Sequence, residues 1–168
     1  DHRDLHSFPT RRSSDLKSTI NVDTLLITLY ETYEPVCMKQ NLELKLHLSE
    51  ESYPAMLTDK DRLFQILCVF MDNAIQHSKN NSLIEIEVIA TEKNIAFSVA
   101  DHGQGISDED KQYIFDRFYS GDKSHTNKSN FGLGLSIAKE LTQMLNGTIT
   151  INDTAGGGAT FTVKFPLK

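Results

Sequence analysis

The stretch Asn130-Phe131-Gly132-Leu133-Gly134-Leu135-Ser136-Ile137-Ala138-Lys139 constrains this chain more than any other, because a polar loop bearing two glycines passes straight into a helical pattern. Glycines at such a junction leave backbone N–H groups uncovered, and the aligned peptide dipoles of the new helix add partial positive charge. The junction suits a phosphate. It has no preceding strand and no Gly-x-x-x-x-Gly-Lys-Ser/Thr, so it is neither a dinucleotide fingerprint nor a P-loop. Taken alone, Gly132 and Gly134 equally describe a tight loop that packs a helix closely.

At 168 residues with 39% apolar content the chain is long enough for one domain with a real core, and a soluble globular protein is expected. The formal charge of −6 argues against a nucleic-acid binder, which would carry a basic face. Cys37 and Cys68 fall in apolar helical stretches without metal-ligand spacing, so buried free thiols are expected rather than a disulfide or a zinc site. No run approaches the roughly 20 apolar residues of a membrane span. Residues 1–16 show neither helical nor strand period and read as a disordered segment foreign to the domain, which is taken as 17–168.

From Asn21 the apolar residues Val22, Leu25, Leu26, Leu29, Tyr33, Val36 and Cys37 recur at helical steps, with Asp23 as the expected cap. Leu42, Leu44, Leu46 and Leu48 alternate with polar residues as in a half-buried strand, which puts His47 on a solvated face. Tyr53 to Leu57 reads as a second strand. A helix capped by Thr58 or Asp59 runs from about Lys60 to Ser78, and Ile84–Val88 with Ile95–Ala100 reads as a hairpin. A short helix is expected from Ser107 to about Phe118, then a polar lid-like loop over 119–131. The glycine helix ends at Asn146-Gly147, and strands Thr148–Asn152 and Ala159–Phe165 close the chain. This succession predicts an α+β two-layer sandwich, a mixed, mainly antiparallel sheet with helices on one face.

Three segments bear chemistry. On the helix ending at Ser78, Asn73 and His77 stand four residues apart and share a face with Gln76. Asn73 can offer a carbonyl oxygen to a hard cation such as Mg²⁺, although by itself the helix is more simply a polar face meeting water. Asp101 follows an apolar strand and precedes Gly103 and Gly105, so it suits either a turn or an acceptor for the exocyclic amine of a flat base. The order of these signals is more specific than any one of them.

In that order the chain resembles the ATP-binding catalytic domain of sensor histidine kinases, within the Bergerat-fold ATPases. Asp72-Asn73-Ala74-Ile75-Gln76-His77-Ser78 is similar to the asparagine box and Asp101-His102-Gly103-Gln104-Gly105-Ile106 to the first glycine box. Ile114 to Ser124, with Phe115-Asp116-Arg117-Phe118, is similar to the phenylalanine box, and Gly132-Leu133-Gly134-Leu135-Ser136-Ile137 to the second glycine box. The resemblance covers about residues 20–168.

The resemblance implies ATP and Mg²⁺ as ligands. Asn73 would hold the metal; Asp101 would take the adenine amine, with His77, Gly103, Gly105, Ile106 and Phe118 around the base. Gly132, Leu133 and Gly134 would offer N–H groups to the phosphates, and Arg117 and Lys123 would neutralise phosphate charge from the lid. Three positions depart from the pattern: Val69 and Gln76 replace an asparagine and a basic residue, and Asn130-Phe131 replaces a glycine and a small residue. Val69 also stands where gyrase-type and chaperone relatives carry a water-activating glutamate, so the resemblance implies transfer of phosphate rather than rapid hydrolysis. It further implies as partners a dimerisation and phosphoacceptor hairpin bearing the substrate histidine and a response-regulator receiver domain, with this domain on the cytoplasmic side of a membrane-anchored parent. His2, His6, His47, His77, His102 and His125 lack the phosphoacceptor context, so no autophosphorylation of this chain alone is expected. Alternatives are a serine kinase of the anti-sigma-factor type and a nucleotide-binding interaction domain without catalysis.

Overall fold

The computed structural model describes residues 17–117 and 133–167. The expectations for residues 1–16, for the loop at 119–131, and for Phe118, Lys123 and Gly132 fall outside the described residues.

The elements, in chain order, are β1 (Lys17–Ile20), α1 (Val22–Lys39), β2 (Glu43–His47), β3 (Met56–Asp59), α2 (Lys60–His77), β4 (Leu83–Ala90), β5 (Asn94–Ala100), α3 (Asp108–Lys111), α4 (Gly134–Met144), β6 (Thr148–Asp153) and β7 (Ala159–Pro166). Five strands form one sheet in the order β2-β4-β5-β7-β6. β2 runs parallel to β4, and the other three pairings are antiparallel. Strand alternation turns Leu44, Ile84, Ile86, Phe97, Val99, Phe161 and Val163 toward one side, where α1 packs on β2, α2 on β5 and α4 on β6. The expected α+β sandwich, with helices on one face, is the fold.

Local chemistry sets the helix starts. Asn21, not Asp23, caps α1: its Oδ1 accepts from Thr24 N at 2.9 Å, which leaves Asp23 one residue inside to face the helix dipole. Asp59 caps α2 by accepting from Asp61 N and Arg62 N, and its second oxygen meets Arg62 Nε at 3.2 Å. Asn41 and Asn146 end α1 and α4 with positive φ, as Asn146-Gly147 led one to expect.

Three elements differ from expectation. The strand expected over Tyr53 to Leu57 forms at Met56–Asp59 instead, where it pairs with β1. β1 reads as no strand in the sequence; four residues become one only because β3 offers an antiparallel partner, Lys17 opposite Asp59. The helix expected to reach Phe118 stops at Lys111, and three-residue turns follow, with Gln112 N donating to Glu109 O and Asp116 N to Tyr113 O. Tertiary contacts override the helical period here. Lys111 Nζ is tied to Asp153 at the end of β6 (2.7 Å), Ile114 is driven into the core, and Phe115 stands edge-on to Phe161.

Phe161 joins both layers, its ring 5.5 Å from Phe70 on α2 and 6.4 Å from Phe115. Phe161→Ala is expected to cost about 3–5 kcal/mol in urea unfolding, since a buried aromatic leaves a cavity that only partly collapses. A loss under about 1 kcal/mol would mean that the ring is not part of a close-packed core.

Cys37 and Cys68 are free thiols, both pushed above the ordinary cysteine pKa by burial. No helix among the described residues is long and apolar enough to cross a membrane.

Candidate functional site

The three motif segments meet along one stripe of α2. Val69, Asn73 and His77 recur every four residues, about 6 Å of helix rise for each step. At the first step, the position where a side chain would leave Gly134 lies 3.5 Å from Val69 Cγ1, so the start of α4 rests on Val69. At the last step, a Cβ on Gly103 would sit 2.0 Å from the carbonyl oxygen of His77, so only glycine lets the loop after β5 close on the end of α2. Asn73 lies between them. It is 93% buried by relative exposure of 7%, and its Nδ2 has no hydrogen-bond partner among the described residues. A buried NH₂ donor without a partner carries a desolvation cost that an acceptor on a ligand can relieve.

Tyr33 reinforces this turn of α2 from α1. Its hydroxyl is 2.8 Å from Asp72 Oδ1 and 3.2 Å from the Cys68 carbonyl. Burial, then the Asp72 hydrogen bond, raise its pKa.

At the base end, Asp101 directly follows β5 and is buried. Its Oδ1 accepts from Gly103 N at 2.9 Å and from Ala159 N at 3.2 Å, whereas Oδ2 makes no hydrogen bond among the described residues. Burial raises its pKa; the two backbone donors and the nearby His77 and His102 oppose that rise without cancelling it. The result is a desolvated carboxylate with one oxygen spoken for and the other available to a donor. Ile106 packs against the core beside this turn, and Gly105 lies against Gly158.

Gly156-Gly157-Gly158 is the part of the site that sequence reasoning passed over as a connection between strands. Gly158 has φ +117, and a Cβ there would lie 2.0 Å from the Asp101 carbonyl oxygen. Asp101 N donates to Ala159 O at 2.9 Å, so this loop backs the carboxylate directly. Three consecutive glycines were the available signal.

At the phosphate end, α4 begins at Gly134 with Leu133 before it, no side chain among the described residues caps the helix, and its first turn has no acidic residue. Its leading N–H groups are therefore left for another acceptor. Ser136 Oγ donates to Leu133 O at 2.9 Å and steadies the entry. Arg117, for which the resemblance implies a phosphate role, lies 3.9 Å from Glu140 on the exposed flank of α4. Both partners are largely exposed, so this ion pair is a weak restraint. Gln76 is exposed at the mouth of the stripe. A separate groove of about 420 Å³, lined in part by Ser18, Asn21, Thr24, Lys60 and Phe64, lies at the β1–α1 end and holds none of the motif residues.

The sequence model of the histidine kinase-, DNA gyrase B- and HSP90-like ATPases matches residues 58–168. Sensor protein CiaH of Streptococcus pneumoniae is 36% identical over 142 residues, covering 84% of this chain and 32% of that protein. The histidine-protein kinase ArlS of Staphylococcus haemolyticus is 37% identical over 124 residues, covering 73% of this chain and 27% of its own. The chain thus spans about a third of the length of the curated relatives it matches. Among solved structures, the catalytic domain of the histidine kinase ThkA superimposes with a TM-score of 0.77 at 24% identity, covering 89% of this chain and 96% of that one; the two share the fold.

Proposed function

This chain belongs to the histidine kinase-, DNA gyrase B- and HSP90-like ATPase family, as an ATP-binding catalytic domain of the sensor histidine kinase type, and from that premise we propose that it transfers the γ-phosphate of ATP to a histidine supplied by another domain of its parent. The observation that carries the reading is the α2 stripe, on which the buried Asn73, its Nδ2 without a hydrogen-bond partner among the described residues, stands between Gly134 and Gly103. Each end of that stripe suits a different part of one nucleotide.

Asp101 accepts the adenine amine at Oδ2, and the bare backbone at Gly103 and Gly105 lets the flat base approach. His77 and Ile106 flank it. Leu133 and Gly134 aim N–H groups at phosphate oxygens, where helix-start dipole and uncapped donors act together. Asn73 is the residue that would hold Mg²⁺ through its amide oxygen; the metal, when bound, neutralises phosphate charge. Roles for Phe118, Lys123 and Gly132 rest on the sequence motif alone, and Arg117 would have to leave Glu140 to meet a phosphate.

Val69 carries the argument for transfer. Where a carboxylate could activate water, an apolar side chain packs against Gly134 and offers no base. Positioning and charge neutralisation remain, which is most of what phosphoryl transfer requires. We extend the proposal to the partners, the parent's phosphoacceptor hairpin and then a response-regulator receiver domain, and to a membrane-anchored parent with this domain in the cytoplasm.

The test mixes this chain with the parent's phosphoacceptor hairpin, Mg²⁺ and γ-labelled ATP. Acid-labile, base-stable label on a hairpin histidine is the expected result; ATP binding with no transfer to histidine would overturn the kinase reading.

A further inference from the structure

The sheet face turned away from the helices holds a polar cluster outside the nucleotide stripe. Glu85 on β4 lies in register with Lys45 on β2 and Ala100 on β5. Its Oε2 is 3.0 Å from His47 Nε2, and its Oε1 is 3.1 Å from His102 Nε2. His47, expected from the sequence to be merely solvated, is therefore a partner of this carboxylate. An ionised carboxylate only accepts, so both imidazoles present a protonated Nε2 to it. The two donors, that of His102 foremost, hold the Glu85 carboxyl below the usual glutamate range.

His102 stands between Asp101 and Gly103. Asp101 is buried on the helix side, whereas the His102 side chain reaches Glu85 on the open side, so the two hold the chain from opposite faces of the sheet. Beyond Asp101, no backbone–backbone hydrogen bond among the described residues holds positions 102–106. The turn depends on side-chain bonds, and His102–Glu85 is one of them.

We propose that Glu85 and His102 are positioning residues for base recognition: their hydrogen bond fixes the chain at residue 102, so that Asp101 Oδ2 and the bare backbone of Gly103 face the amine and ring of adenine together. The inference rests on the reading of Asp101 as the amine acceptor. His47 anchors the other carboxylate oxygen and keeps Oε1 turned toward His102. Neither Glu85 nor His102 touches the nucleotide in this arrangement; they act through Asp101.

Calorimetric titration of the full chain with ATP and with inosine triphosphate, both with Mg²⁺, isolates the effect, since the inosine base has a carbonyl where adenine has its amine. The unaltered chain binds ATP more tightly. In Glu85→Ala and His102→Ala the preference for ATP is expected to fall about three- to tenfold, the worth of one hydrogen bond in positioning. Affinity for inosine triphosphate is expected to stay within about twofold. Glu85→Gln and His102→Gln, which can restore an acceptor or a donor at the same place, are expected to keep most of the preference. Glu87→Ala removes a carboxylate from the same strand and face and is expected to change nothing. Equal weakening of both nucleotides in Glu85→Ala and His102→Ala would mean a merely structural role and overturn the proposal. Asp101→Asn separates the two readings: if it leaves the preference intact, the amine assignment itself fails; if it abolishes the preference while the Glu85 and His102 variants keep it, the positioning claim alone fails. Should Glu85→Ala not fold, His102→Ala and the two glutamine variants carry the same comparison.

Discussion

Asp101→Asn is expected to bind ATP about 10- to 100-fold more weakly while melting at a higher temperature at neutral pH, a charged hydrogen bond being worth about 1.5–3 kcal/mol. The amide oxygen can still accept from Gly103 N and Ala159 N, which keeps the turn. Its NH₂ then occupies the place of Oδ2 and meets the adenine amine donor to donor. The stability gain follows from the direction of the Asp101 pKa. Burial raises it above the unfolded value, so the folded state holds the proton to higher pH. The favourable contribution of this group is complete below the unfolded pKa and is lost as pH rises through the folded one. At neutral pH the fold therefore carries an ionised, desolvated carboxylate at a cost that asparagine removes. ATP affinity of the unaltered chain is expected to move the opposite way, falling as acidification protonates Asp101. Calorimetry and thermal melts between mildly acid and neutral pH check both directions; unchanged ATP affinity in the variant would contradict the amine assignment.

Gly158→Ala is expected to cost at least about 3 kcal/mol and to abolish measurable ATP binding, because incompatible φ and a backbone clash act together. The added Cβ would fall 2.0 Å from the Asp101 carbonyl oxygen, and φ is +117. Neither obstacle is a flexible side chain that can swing aside. Relief requires β7 to separate from the end of β5, which breaks the bond from Asp101 N to Ala159 O and turns the carboxylate away. Gly156→Ala is the internal comparison. Its φ is +86, but nothing lies within 4 Å of the new Cβ. That variant carries backbone strain alone, about 1 kcal/mol, and should bind ATP normally. Urea unfolding with ATP titration of the two variants checks this; comparable losses at both positions would refute the close packing of the glycine loop on Asp101.

The helices and sheet strands were largely legible because their signals are local. Leucines at alternate positions mark β2, three- and four-residue steps mark α1 and α2, and Asn146-Gly147 marks the end of α4. The misreadings occur where a distant segment decides. Lys17–Ile20 is too short to show a period and pairs because Met56–Asp59 lies beside it. Residues 112–117 keep a helical pattern but follow Lys111 to Asp153 and Phe115 to Phe161 into turns. Asp23 was the expected cap, and the bond from Thr24 N to Asn21 Oδ1 places the cap two residues earlier.

By itself the sequence determined which residue types could bear chemistry, since an amide, a carboxylate and bare glycines are properties of side chains and not of folds. It also determined the family, through the order in which those residues occur. Only the tertiary structure decided that Val69, Asn73 and His77 form one stripe with Gly134 and Gly103 seated at its ends, and that Gly158 and Ala159 back Asp101 from the far end of the chain. It alone joined Glu85 to His102. The physical reason is reach: periodicity and capping act over a turn or two, whereas burial and a close approach between backbones depend on segments that the sequence places dozens of residues apart.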